Sequence, residues 1–510
     1  MFSRLPWNRY QRGRPGRGGR LWVSVLLFLL PTDLYAQALP GRVVEHTLQN
    51  GIKVIMLRRA QAPVISFQIT YRVGSVHEQT GMTGAAHLYE HMAFKGTERI
   101  GTIDRAREAP LLEAIEERYH ELTRKQQKRG TEDAERVKTL KQEIERLEHE
   151  AQQWVKTNEL GELYERHGAV DFNASTSRDV TSYTVALPAN RLPLWVAIES
   201  DRMAHPVMRE FYKEREVVLE ERHRSVESSP IGKLREAFYA AAFLAHPYGH
   251  PTLGWPSDIR AVSARQIAEF FKTYYGPQNT ILTLVGDLEP ERVLPVLEAA
   301  FGAIPAGAEP PHVVTVEPPQ TGERRIAVEA EAEPQLMIGF HQPGILHADD
   351  AVFDVIDSLL SDGRTSRLYQ ALVDEKKVAV SVGTHTGSPG AQYPHLFTIA
   401  AVPQFPHTTE EVEAAVYTEL EKLANEPVSA AELKKVLTRM DAGLLRSMQS
   451  NEAMSSLLGY FEAITGSWRY LIANREAIAA VTPEEIMRVA KTYFTKKNRV
   501  VATLLHSQSF

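Results

Sequence analysis

Apolar and polar positions along this chain follow two periods, and the same sequence of elements is met twice. Runs rich in β-branched and aromatic residues at 52–57, 64–71, 181–187 and 280–285 predict strands in the first part. The second part repeats the theme at 326–329, 336–341, 379–382 and 396–402, with a helix starting near Ala348. Strands and helices mix without strict alternation. That predicts an α+β fold of two homologous sheet-plus-helix sandwich domains, each a sheet with helices packed on one face.

A narrower stripe interrupts the first part. Leu112, Ile115, Tyr119 and Leu122 recur at spacings of three and four, as do Val137, Leu140, Ile144, Leu147 and Ala151 beyond Arg129-Gly130-Thr131. Such a seam on two charged helices predicts an antiparallel helical hairpin over about 104–156, serving as a lid, a docking arm or a solvated insertion. Further on, Pro305, Pro310, Pro311, Pro318 and Pro319 make 304–324 an extended linker. The expected division is therefore a first domain over 37–303 with the hairpin inserted, the linker, and a homologous second domain over 325–510.

The N-terminus reads as an address. Residues 1–20 hold six arginines and no acid, residues 21–30 are apolar but for Ser24, and Tyr35-Ala36-Gln37-Ala38 offers a small-residue cleavage site. This is the order of a secretory signal peptide over 1–36, and its apolar core is too short for a stable membrane anchor. Across 510 residues the net charge is −6, and removing that segment leaves a more acidic chain. An acidic, exported, cysteine-free protein points to the periplasm. The charge balance gives no broad basic field for nucleic acid, and no glycine-rich loop precedes a helix to hold a nucleotide. With no cysteine, any metal must be held by nitrogen and oxygen.

Those ligands are concentrated in Gly84-Ala85-Ala86-His87-Leu88-Tyr89-Glu90-His91-Met92-Ala93-Phe94-Lys95-Gly96-Thr97. Thr83 can cap a helix here and Gly96 can end it after about three turns. On that helix His87 and His91 are four apart, so both imidazoles leave one face and can share a cation, with Glu90 beside them. The order is the inverted zinc motif His-x-x-Glu-His. Two imidazoles and one carboxylate leave zinc a positive charge and an open position. Water held there ionises near neutral pH, and Glu90 would act as general base for peptide hydrolysis. The third ligand must come from elsewhere. The run from Glu214 to Arg222 is the best source, because Glu214 and Glu221, seven apart, lie within about 20° on a helix. Spacing alone does not choose among Glu214, Glu216, Glu220 and Glu221. His246 and His250 sit in a proline- and glycine-rich loop and are read as turn residues; Tyr183 and Tyr248 are read as packing.

These residues resemble the pitrilysin/insulinase family of zinc peptidases, close to its bacterial two-domain members and to mitochondrial processing peptidase subunits. The likeness runs through the zinc motif, Asn173-Ala174-Ser175-Thr176, Glu214 to Glu221, His246-Pro247-Tyr248-Gly249, Tyr275-Gly276-Pro277-Gln278-Asn279 and Ser361-Asp362-Gly363-Arg364-Thr365-Ser366-Arg367-Leu368. It implies one Zn2+ per chain on His87, His91 and Glu221, with Glu214 behind a histidine. It also implies a substrate-binding edge strand at Asn173 and Ala174. The expected activity is that of a zinc metalloendopeptidase cleaving peptides or unfolded chains in a closed chamber; the alternative is a non-catalytic structural or assembly subunit. Two departures stand out. The hairpin lengthens the interval from His91 to Glu221 to 130 residues. Similar proteins that work alone carry an arginine and, seven residues on, a tyrosine, where this chain has Val373 and Val380. The resemblance therefore implies a homologous subunit supplying that pair, in a heterodimer, or else a homodimer.

Overall fold

The computed structural model describes residue 39 and residues 41–127 and 134–507. The segment expected to be a signal peptide and the turn of the hairpin lie outside these.

Two mixed sheets carry the chain. The first has strands β1 (Val43–Thr47), β2 (Lys53–Arg58), β3 (Val64–Tyr71), β4 (Val170–Thr176), β5 (Thr181–Pro188) and β6 (Thr280–Gly286), in the order β1-β2-β6-β3-β5-β4. The second has β7 (Arg324–Ala330), β8 (Gln335–Gln342), β9 (Ala379–Ser388), β10 (His395–Pro403) and β11 (Arg499–His506), in the order β7-β11-β8-β10-β9. Without β1 the two orders superimpose. The one parallel pair in each, β2 with β6 and β7 with β11, falls in the same place. This is the duplicated α+β sandwich expected from the strand periods. Residues 305–323 between the sheets form neither helix nor strand, and the Glu317 carboxylate there accepts the N–H groups of Leu244, Ala245 and His246 at 2.8–3.0 Å.

In one respect the sandwiches differ from a sheet covered on one face. Along β3, Ile65, Phe67, Ile69 and Tyr71 point into the first core, yet the alternating Ser66, Gln68 and Thr70 are buried as well. They lie beneath helix α6 (Asn451–Thr465), which belongs to the second half of the chain; Ser456 donates to Gln68 at 2.7 Å. Gly459 allows this approach, since a Cβ there would fall 2.9 Å from the Thr70 hydroxyl. The exchange is reciprocal. Helix α5 (Pro230–Ala242), from the first half, covers β7 and β11, and Phe238 packs against Gly339 of β8. Each sheet thus has its second face closed by the other half.

The hairpin is present as helices α2 (Arg105–Gln127) and α3 (Ala134–Gln152). Its outer part has a small core of its own, Leu122, Leu140 and Ile144, whereas Ile115, Leu147 and Ala151 join the main core of the first sheet. Among the described residues no helix is long and apolar enough to cross a membrane.

Candidate metal centre

The inverted motif lies on helix α1 (Ala85–Met92), two turns long and shorter than the spacing suggested. It starts at Gly84, whose φ of 90° would strain a residue with a side chain and whose Cβ would meet the Leu253 carbonyl at 2.8 Å. Thr83 does not cap it: its hydroxyl donates to Asp258 and accepts from the Trp255 N–H, both at 2.8 Å. The buried Glu78 carboxylate takes that place, accepting the N–H groups of Gly84 and Ala86 at 2.7 and 2.8 Å, an acid at the positive end of the helix.

The second set of groups stands on helix α4 (Phe211–Arg222), entered through Glu210 in the left-handed region at φ 54°. Seven residues along this helix return to nearly the same face, so Glu214 and Glu221 both look at α1. One Glu221 oxygen lies 3.6 Å from His87 Nε2 and 3.5 Å from His91 Nε2. The three ligand atoms fall within 4.8 Å of one another. Glu214 lies on the far side of His91, 3.3 Å from Nδ1, and accepts from Lys95 at 2.5 Å. Glu216 and Glu220, equal to these by spacing, keep 66% and 63% of their side chains in solvent and pair with arginines.

Charge follows position. Burial, reinforced by the neighbouring His91, pulls the His87 imidazole down to about 4, so it is neutral and able to donate a lone pair. Burial acts the same way on His91, but hydrogen bonds to Glu214 and Glu221 outweigh it and raise that ring to about 9. Burial also opposes the Glu214 charge, which His91 and Lys95 nevertheless hold down to about 2. A hydrogen bond with His91 keeps the Glu221 carboxyl below its usual range. Glu90 behaves differently. Burial pushes its carboxyl up, and Oε2 is buried with no hydrogen-bond partner.

Asn173 and Ala174 lie on β4, the edge strand of the first sheet, where they pair with Thr184 and Tyr183 of β5 on one side only. A bulge with Asp171 at φ 55° bends that strand. Asn173, Glu90, His91, Phe94, Lys95 and Glu214 share a cleft of about 370 Å³. Sequence reasoning had not assigned Lys95, Glu78, or Glu210, which accepts from Lys95 at 3.3 Å. Lys95 was visible inside the motif; the others depend on contacts that spacing does not carry. His246 and His250 belong to no ligand cluster among the described residues, and Tyr248 donates to the buried Asp179 at 2.5 Å. The donor set of two imidazole nitrogens and one carboxylate oxygen suits zinc and leaves a coordination position open.

Duplicated sheets whose first half presents a paired-histidine helix to a glutamate helix define a peptidase-like scaffold of the inverted-motif class. A sequence profile described as Insulinase (Peptidase family M16) matches residues 53–109 and 133–255, and one described as Peptidase M16 inactive domain matches residues 261–440. The chain belongs to the insulinase, or M16, family. It is similar to the zinc protease PqqE of Helicobacter pylori, 26% identical over 478 residues covering 92% of this chain and 94% of that one. Among solved structures, a protease from Helicobacter pylori has the same fold, with a TM-score of 0.76 and 24% identity over 91% of this chain and 99% of that chain. So does the periplasmic protease PqqL from Escherichia coli, with a TM-score of 0.67 and 17% identity; 91% of this chain covers only 47% of that one.

Proposed function

We propose that this protein is an exported zinc endopeptidase that hydrolyses extended peptides or unfolded polypeptides. The observation that carries the reading is the convergence of His87, His91 and Glu221 within 4.8 Å beside Glu90, whose carboxyl bonds Thr176 and keeps a buried Oε2 without a partner in the protein. Zinc held by those three residues would supply a Lewis acid that polarises the scissile carbonyl and acidifies water at neutral pH. Glu90 would take the proton from that water and deliver it to the leaving amine nitrogen. Glu214 would keep the Nδ1 proton on His91, leaving Nε2 to face the cation. The free edge of β4 at Asn173 and Ala174 would bind substrate as an added strand, through backbone hydrogen bonds that read chain shape rather than side chains.

Assembly is part of the same reading. The Escherichia coli relative has about twice the length that this chain covers, and the family resemblance puts Val373 and Val380 where an arginine and a tyrosine would contact substrate. A second homologous chain would complete the chamber. The N-terminal basic and apolar segment supports delivery to the periplasm, as does the name of the PqqL relative.

The test begins with protein stripped by a chelator. One equivalent of zinc per chain is expected to restore cleavage of a fluorogenic peptide, and magnesium at the same concentration is not. Protein that binds no zinc when purified under native conditions would overturn the reading; the same native mass measurement reports any partner chain.

A further inference from the structure

The family profile leaves residues 110–132 unmatched, and these fall inside the hairpin. The base of that hairpin bears on the glutamate helix through buried polar contacts. Glu108, on the first turn of α2, has no exposed surface, and Arg209, just ahead of α4, has 1%. The two form a bidentate pair, Nε to one Glu108 oxygen and Nη2 to the other at 3.0 Å. The remaining guanidinium protons go to the loop that follows α1: Nη1 donates to the carbonyls of Lys95 and Ile100 at 2.5 and 3.3 Å, and Nη2 to that of Thr97 at 3.1 Å. One buried arginine therefore ties the end of the histidine helix to the start of the glutamate helix. Its counter-charge comes from the first turn of the hairpin, two positions before the unmatched stretch.

Two turns further along α2 the contact continues. The Tyr212 hydroxyl donates to the buried Glu116 at 2.6 Å. Its ring stacks on Tyr119 with centroids 3.4 Å apart, and Arg215 lies over both rings at 4.9 and 5.4 Å. Tyr212 and Arg215 flank Glu214 on the first turns of α4.

We infer that the base of the inserted hairpin is a splint for the metal centre, with Glu108 and Glu116 acting as positioning residues that set α4, and with it Glu214 and Glu221, against α1. An isolated ion pair on a solvated arm would not need both partners dehydrated, because a buried pair recovers its desolvation cost only with satisfied geometry. Here every N–H of Arg209 named above ends on an acceptor that belongs either to the hairpin or to the α1 loop.

This inference rests on the zinc reading, and the test separates the two. Glu108→Gln keeps the shape but leaves Arg209 without its counter-charge; Tyr212→Phe keeps the stacked ring and removes the hydroxyl that bonds Glu116 and the Ala264 backbone. Zinc dissociation constants are measured by competition with a chromophoric chelator. Glu108→Gln is expected to weaken zinc at least tenfold and Tyr212→Phe about threefold, by analogy with the losses seen when residues behind metal ligands are removed. Hydrogen exchange on the zinc-free protein is expected to quicken at 95–101 and 209–222 and nowhere in the second sheet. Leu420→Ala, in the second core, controls for lost stability and should leave zinc affinity within twofold. Both variants within twofold of wild type, or a control that loses as much as they do, would overturn the splint. If Glu108→Gln does not fold, Tyr212→Phe decides alone. Wild-type protein without zinc affinity would instead sink the peptidase reading, while the exchange measurement still reports on the splint.

Discussion

Replacing Glu90 with glutamine separates catalysis from metal binding more cleanly than any other single change. The side chain follows His87 by three positions on α1 but is not one of the three clustered candidate ligands, His87, His91 and Glu221. Glutamine has the same length and shape, and its amide fits a pocket in which Oε2 has no partner to lose. What it cannot do is accept a proton. Burial raises the native carboxyl above its ordinary 4.5, bringing it closer to working pH and making it a stronger base than a solvated glutamate. Positioned general bases contribute roughly a hundred- to ten-thousandfold, so Glu90→Gln is expected to lower kcat by about 3–5 kcal/mol in barrier height. KM and zinc content should stay near wild type. Glu221→Gln is the contrasting variant: it removes the only anion among the three ligands and should lose zinc itself, with activity returning as zinc is raised. The assay is turnover of a quenched fluorogenic peptide, with zinc counted per chain by native mass measurement in the same samples. A Glu90→Gln protein that turns over within fivefold of wild type with its zinc in place would refute the general-base assignment. One that has lost its zinc would show that Glu90 belongs with the ligands.

Three further outcomes follow from packing and charge. Leu140→Ala, in the small core of the outer hairpin, should cost about 2–5 kcal/mol locally, seen as faster hydrogen exchange in α2 and α3 beyond Tyr119, with zinc affinity unchanged; a loss of zinc would mean that the tip as well as the base supports the site. Phe238→Ala removes a fully buried ring that joins α5 to the second sheet, and about 3–5 kcal/mol of stability should go with it. Exchange protection should fall in β8 and β11 together with α5, and a loss confined to α5 would contradict the exchanged-helix packing. Burial works against the charge on Glu317, yet the N–H groups of Ala245, Leu244 and His246 outweigh it and hold the carboxyl below 4.5. Its contribution is therefore present above pH 4.5 and lost as pH falls through the lower folded value. Glu317→Gln should be less stable than wild type at pH 6, with the gap in urea midpoint closing below pH 4.5; a gap that widens in acid would reverse the sign.

Period and composition carried most of the fold. The run at 64–71 and the seams at 112–122 and 137–151 became β3 and the two hairpin helices because one-sided burial imposes a period that survives in the residues themselves. What the pattern misreported was the other face. Ser66, Gln68 and Thr70 alternate with apolar residues as if they met water, but they meet α6, from a segment nearly four hundred residues away. Small polar side chains serve a close helix crossing as well as a solvated face, and only Gly459 and Gly339 hinted at which. No strand was anticipated at β1 or β11, although the latter is the central partner of β7 and β8.

The candidate site divides along the same line. His87, Glu90 and His91 were legible because one helix brings them together, so their spacing is their geometry. Glu221 was one of four acids until the family likeness selected it, since α4 can present any of its faces until something fixes its rotation. In the structure, Arg209 and Tyr212 supply that constraint, and both are held by acids of the hairpin's first helix. Glu108 and Arg209 are 101 positions apart and carry no motif between them. A sequence reader sees two ordinary charges, one on the hairpin and one ahead of α4. Only their joint burial, continued by Glu116 on Tyr212 inside the unmatched stretch, ties the hairpin to the rotation of the helix that carries Glu221.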